Sequence, residues 1–170
     1  MTTQTALKSL RIELVAHSPG RVLEFVAFLY PAGGAFVVGW PSAPGEVRND
    51  AEGRPVLLHV APARWLVPAP CDEITALVDA AVAASAGMSI DATGKWCEFH
   101  LSGPDAGRAL GLSIDSESVL DGRECASVVL FDCPCVLARV SSGYAIWVRA
   151  SFAVDFEAAF GRLRAPARDR

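Results

Sequence analysis

No apolar run in this chain approaches the roughly 20 consecutive residues that a bilayer-spanning helix needs. The best candidate, Ile74 to Ala84, is far shorter and is interrupted by Asp79. A secretory signal is missing as well, because Met1 to Leu10 shows no basic segment leading into an apolar stretch. Charge is scarce, at 20% of residues, and its balance is acidic, with a net charge of -4. That balance argues against nucleic acid as the main partner. Cysteine is odd in number, and the five residues are scattered. They make no disulfide framework, so the expected setting is a reducing cytoplasm with free thiols and no membrane contact.

Motifs that carry chemistry are equally thin. Gly33-Gly34 is a bare turn, and Gly103-Pro104-Asp105-Ala106-Gly107 has neither the Lys-Ser/Thr ending of a phosphate loop nor dinucleotide spacing. No serine sits in a nucleophile elbow. Of three histidines, His17 falls at a strand end, while His59 and His100 fall within strands. None has a second metal ligand at helical i, i+4 spacing, so each reads as structural. Cys133-Pro134-Cys135 places two thiols on one side of an extended segment. A metal there would need two further ligands, and a redox pair would normally open a helix, so buried inert thiols are expected. Cys71 lies near a helix start without positive neighbours. No residue is assigned a catalytic, cofactor-binding or metal role, and no cofactor of the chain's own is expected.

What the chain does have is apolar residues. They make up 52% of it, and the mean hydropathy is +0.33. Such a surplus fits an apolar surface covered by a partner. A length of 170 residues suffices for one domain, or for two small halves sharing a core, without disulfides or metal.

Periodicity predicts an α+β order. Leu10 to Ala16 alternates as a strand. Ser18-Pro19-Gly20 reads as a helix start, with Val22, Phe25, Val26 and Leu29 on one helical face and Pro31 to Gly34 as its end. Ala35 to Trp40 reads as a short strand, and Pro41 to Arg54 as an exposed loop. Val56 to Val60 and Trp65 to Val67 form a hairpin-like pair. Asp72 caps a helix with Ile74, Leu77, Val78, Ala81 and Val82 inward, closed by Gly87 in a left-handed conformation. The order then recurs. Trp96 to Leu101 is a strand, and Ser102 to Asp105 opens a helix with Ala106, Ala109 and Leu110 inward. The polar stretch Ser113 to Arg123 follows. Val128 to Phe131, Val136 to Val140 and Tyr144 to Val148 are strands. Ser151 caps a last helix with Phe152, Phe156, Ala159, Phe160 and Leu163 on one face. The basic tail from Arg162 to Arg170 reads as a solvated helix end. Trp40, Trp65, Trp96 and Trp147 all fall on predicted strands and read as sheet packing, with partner anchoring as the minority alternative.

The two runs overlay. Glu13-Leu14 falls on Glu98-Phe99, Val56-Leu57 on Val136-Leu137, and the face Ile74, Leu77, Val78, Ala81 on Phe156, Ala159, Phe160, Leu163. The expected architecture is therefore β-α-β-β-β-α twice. Its halves, about 10–87 and 88–164, share one core, with strand exchange as a route to it. Residues 1–9 and 165–170 are expected to be flexible ends.

Three stretches carry a resemblance. Gly87-Met88-Ser89-Ile90-Asp91-Ala92-Thr93-Gly94-Lys95-Trp96 through Leu101-Ser102-Gly103-Pro104-Asp105-Ala106 resembles the aminomethyltransferase (glycine-cleavage T-protein) superfamily, a folate-binding-domain family. Leu57 to Val67, with Ala61-Pro62-Ala63-Arg64-Trp65-Leu66, is similar to one branch of it, the gamma subunits of heterotetrameric sarcosine oxidases. Tyr144 to Ala153, with Arg149-Ala150-Ser151-Phe152-Ala153, is similar to the same branch. The resemblance runs from about Leu10 to Leu163. It implies a complex that oxidises N-methylglycine and passes the one-carbon unit to tetrahydrofolate. Larger subunits of such complexes carry FAD, FMN, NAD and the folate site, and a small one binds zinc. The gamma subunit carries none of the cofactors.

The departures point the same way. Where aminomethyltransferases place a Gly-Tyr-Thr-Gly-Glu-type string, whose acid helps hold folate, this chain reads Ser141-Ser142-Gly143-Tyr144-Ala145-Ile146. The C-terminal domain of those enzymes has no counterpart in these residues. Asp91, from the shared segment, reads as a turn residue. The resemblance thus implies a non-catalytic accessory subunit with larger flavin- and folate-binding partners. A stand-alone folate-binding or aminomethyl-transfer protein is the alternative, and a thiol or metal protein built on Cys133 and Cys135 is a weaker third.

Overall fold

The computed structural model describes residues 10–17, 20–29, 39–85 and 87–164. It contains ten strands and four α-helices within those residues. The strands are β1 (Glu13–His17), β2 (Val22–Val26), β3 (Val47–Asn49), β4 (Pro55–Ala61), β5 (Arg64–Pro68), β6 (Met88–Asp91), β7 (Trp96–Ser102), β8 (Cys125–Leu130), β9 (Cys133–Val140) and β10 (Gly143–Arg149). The helices are α1 (Asp72–Ser85), α2 (Ala106–Leu110), α3 (Ser116–Val119) and α4 (Ala153–Arg164). A single 3-10 turn, Ala150–Phe152, leads into α4.

Two five-stranded sheets result, with orders β1-β7-β10-β9-β8 and β3-β4-β5-β2-β6. Every strand pair is antiparallel. Here β1, from the start of the chain, edges the sheet of late strands, and β6 edges the sheet of early ones. By position, β6 matches β1, β7 matches β2, and β8, β9 and β10 match β3, β4 and β5.

The sheets lie face to face. Val22, Leu58, Leu66, Trp96, Val136, Ala138, Ala145 and Trp147 fill the space between them. On the outer face of the early-strand sheet, Leu23, Phe25, Leu57, Trp65 and Val67 meet Ile74, Val78 and Ala81 of α1. On the other outer face, Phe99, Leu101, Leu137, Ile146 and Val148 meet Ala109 and Leu110 of α2 and Phe156 and Phe160 of α4. This layering explains why β5 and β10 read as unbroken apolar runs. Leu66 and Trp147 point between the sheets while their neighbours point to the helices, so both faces are dry.

Several expectations need correction. Val22–Val26 is a strand, not a helix. Its residues satisfy helical spacing, but they are apolar on both faces of an extended chain. Leu23 and Phe25 join the α1 layer, and Val22 joins the inter-sheet layer. Pairing with β5 on one side and β6 on the other completes its backbone hydrogen bonds. The element order is therefore not β-α-β-β-β-α in the early part of the chain. The overlay of Glu13-Leu14 on Glu98-Phe99 also fails, because β1 and β7 are neighbours, with Leu14 opposite Leu101 and Ala16 opposite Phe99. The stretch Pro41 to Arg54 contains β3, which pairs with β4. Leu130 ends β8, and Phe131 and Asp132 form the turn at φ 49° and 66°. Two positive φ values match the twist that a two-residue hairpin requires. Asp72 is the first residue of α1, and Ser151 lies inside the 3-10 turn. Gly87 has no left-handed φ. Its smallness serves a close approach, since a Cβ there would stand 2.5 Å from the Val26 carbonyl oxygen. Trp40 is buried but lies outside any strand. Ser18-Pro19 and the stretch from Pro31 to Val38 lie outside the described residues.

Candidate functional site

Between the sheets, beside Trp96, a pit of about 160 Å³ opens. Its wall includes Glu24 of β2, Arg64 and Trp65 of β5, Trp96 of β7 and Arg149 of β10. Strand alternation places Glu24 there. With Leu23 and Phe25 committed to the α1 layer, the residue between them must face the other sheet.

Glu24 is the hub. Trp96 Nε1 donates to its Oε1 at 2.8 Å, Arg149 Nη1 donates to the same oxygen at 3.4 Å, and Lys95 Nζ donates to Oε2 at 2.9 Å. The Arg149 guanidinium lies 4.1 Å from the centre of the Trp96 ring, within cation–π range. Burial alone would raise the Glu24 pKa. The hydrogen bonds from Lys95 and Trp96 and the charges of Lys95 and Arg149 outweigh it and hold the carboxyl below its ordinary value. Beyond the mouth the surface hollows out over about 430 Å³ past Val128, Val129 and Pro134.

Sequence reading missed this cluster. On a helix, Glu24 would sit on the wet side, and its partners lie 71 to 125 residues away. The available signal was an acid set between apolar residues in Val22-Leu23-Glu24-Phe25-Val26.

The residues singled out from sequence do not gather at one place, and among the histidines His17 and His100 alone meet. His59 is buried and stacks on Trp65 at 4.2 Å; desolvation holds its pKa down. His17 and His100 have ring centres 4.4 Å apart, and His100 Nε2 lies 2.7 Å from Glu98 Oε1. Among the described residues no three His, Cys, Asp or Glu side chains could jointly hold a metal. Asp91 Oδ1 accepts the Thr93 N–H at 2.9 Å, the geometry of a turn residue. Trp65, Trp96 and Trp147 lie on strands and, like Trp40, are buried. Arg162 is exposed near the end of α4, and residues 165–170 lie outside the described set.

The thiols divide by burial. Cys71 is exposed and Cys97 half-buried, while Cys125, Cys133 and Cys135 are buried. Desolvation pushes Cys125 and Cys135 up to about 12 and also raises Cys133. In the native protein at pH 8, a thiol-disulfide reagent should therefore label Cys71 quickly and Cys97 slowly. The other three should react only after denaturant is added. Rapid native labelling of Cys133 or Cys135, read by peptide mass, would contradict this assignment.

Among the described residues no helix is long and apolar enough to cross a membrane. No family profile matches the chain, and no curated protein does. Among solved structures, the fold is similar to that of a chain in the heterotetrameric sarcosine oxidase from Corynebacterium sp. U-96, solved in complex with pyrrole 2-carboxylate. The likeness has a TM-score of 0.68 at 24% identity, and covers 93% of this chain and 88% of that one. At that identity it establishes the fold: this chain is built on the same two-sheet α+β frame as one subunit of that oxidase.

Proposed function

We propose that this chain is a non-catalytic, gamma-type subunit of a flavin-dependent complex that oxidises sarcosine or a related N-methyl amine and is linked to tetrahydrofolate one-carbon metabolism. The observation that carries the reading is the two-way coverage of the structural likeness. With 93% of one chain and 88% of the other in register, the two are nearly equal in length. The counterpart is thus a small subunit matched end to end, not a domain of a large one. The sequence resemblance to gamma subunits points to the same subunit independently.

Exposed apolar side chains support the reading. Phe28 and Leu29 are 61% and 64% exposed and follow β2, and Val129 on the sheet-edge strand β8 is 55% exposed. Large apolar side chains left in water suit a surface that larger subunits cover. The halves 10–87 and 88–164 are read, within this proposal, as a duplicated folate-domain-like scaffold that has exchanged its first strands.

Native purification of the tagged chain from its own cells tests the proposal. Larger subunits with flavin absorbance should co-elute in fixed stoichiometry, and the preparation should consume oxygen when given an N-methyl amine. A stable monomer without flavoprotein partners would overturn it. Heat released on titrating the isolated chain with tetrahydrofolate would favour a folate-binding protein acting alone.

A further inference from the structure

We propose that the pit between the sheets at Trp96 binds a small monocarboxylate with an apolar body. The inference stands on the pit itself and does not depend on the subunit assignment. The first argument is charge. One carboxylate and two guanidiniums, Glu24, Arg64 and Arg149, line the pit. Both oxygens of Glu24 are already engaged, by Trp96 and Arg149 on one and Lys95 on the other. Arg64 makes no ion pair among the described residues. Arg149 reaches Glu24 through a single nitrogen at 3.4 Å, and a guanidinium has five N–H donors. The uncommitted charge in the pit is therefore positive, in a chain whose net charge is -4. A local field opposite in sign to the whole protein concentrates small anions.

The second argument is shape. The pit of about 160 Å³ is close to the roughly 150 Å³ cavity that takes up benzene in an engineered protein interior. Its apolar wall is made by Val60, Leu66, Trp96 and Val136, which belong to the layer between the sheets. Apolar walls favour an apolar body, and the guanidiniums of Arg64 and Arg149 offer a forked carboxylate planar donors. A long or branched anion does not fit the volume. A cation meets two guanidiniums and a carboxylate whose oxygens are both already bonded.

The test is calorimetric titration of the purified full chain with benzoate. Benzamidine serves as the cationic isostere and benzyl alcohol as the neutral one, all at one ionic strength. Benzoate should bind with a millimolar or tighter constant, and about tenfold (about 1.4 kcal/mol) more tightly than either isostere. Arg64→Ala should weaken benzoate about tenfold with an unchanged melting temperature, because Arg64 is exposed and unpaired. Arg149→Lys keeps the charge but loses the fork, and should weaken it as well. Benzoate binding no tighter than benzamidine, or wild-type benzoate affinity in both variants, would overturn the proposal.

Discussion

Replacing Trp147 with alanine should destabilise the fold by about 3–5 kcal/mol, whereas replacing it with phenylalanine should cost about 1 kcal/mol or less. Trp147 is 1% exposed on β10 and projects into the layer between the sheets. Its flanking partners across the ladders are Val136 on β9 and Glu98 on β7. Alanine would leave an indole-sized void in the layer that holds the sheets together. The surrounding strands are fixed on both sides by hydrogen bonds and cannot collapse into it. Phenylalanine keeps much of the ring. It also removes a liability, because Trp147 Nε1 is buried without a hydrogen-bond partner among the described residues. Relief of an unsatisfied buried donor is worth about 1–3 kcal/mol, which offsets much of the lost contact area. Urea unfolding of the three proteins measures both differences. If phenylalanine proves as costly as alanine, the fit of the indole outweighs its unpaired N–H.

That layer was only partly legible in the sequence. The hairpin of β4 and β5 stood out because Val56 to Val60 and Trp65 to Val67 flank a Pro-containing turn. Helices α1 and α4 were readable because Ile74, Val78 and Ala81, and Phe156, Ala159 and Phe160, recur at helical spacing. Strand β2 was not. Val22, Phe25 and Val26 satisfy helical spacing as well as an extended chain buried on both faces, and periodicity cannot separate the two. What decides is tertiary. Open edges on β5 and β6 await a partner strand, and neither is visible from residues 22–26. Strand β3 escaped because Val47-Arg48-Asn49 is short and polar and sits in a turn-rich stretch. Strand exchange is named from sequence only as a route to a shared core, with neither the strands nor their register specified. The overlay placed β1 on the strand that it in fact pairs with.

The same error hid the site. With residues 22–26 read as a helix, Glu24 belongs to solvent, and nothing links it to Lys95, Trp96 or Arg149. The stretch Lys95-Trp96 stands out in the sequence for its family likeness, and Arg149 for the string that leads into α4. Their meeting depends on β2 and β10 facing one another from different sheets, which no local pattern encodes.

The charge cluster gives the second large effect. Glu24→Ala should lower stability by about 2–3 kcal/mol at pH 7, because it removes a half-buried acceptor that serves three donors. Lys95 and Arg149 would then lose the carboxylate that they share. Glu24→Gln keeps one acceptor oxygen and should cost about half as much. The pH dependence follows from the lowered pKa of Glu24. A folded-state value below the unfolded one means that the unfolded chain binds the proton more readily, so stability rises with pH. The contribution is fully present above the unfolded glutamate value of about 4.3 and fades as pH falls through the lower folded value. The gap between wild type and Glu24→Ala should therefore be widest near neutrality and should narrow steadily in acid. Urea unfolding of both proteins across that range reads it directly. A gap that keeps its full size in acid would mean that Glu24 acts through packing and not through its charge, and that the three donors find other partners once it is gone.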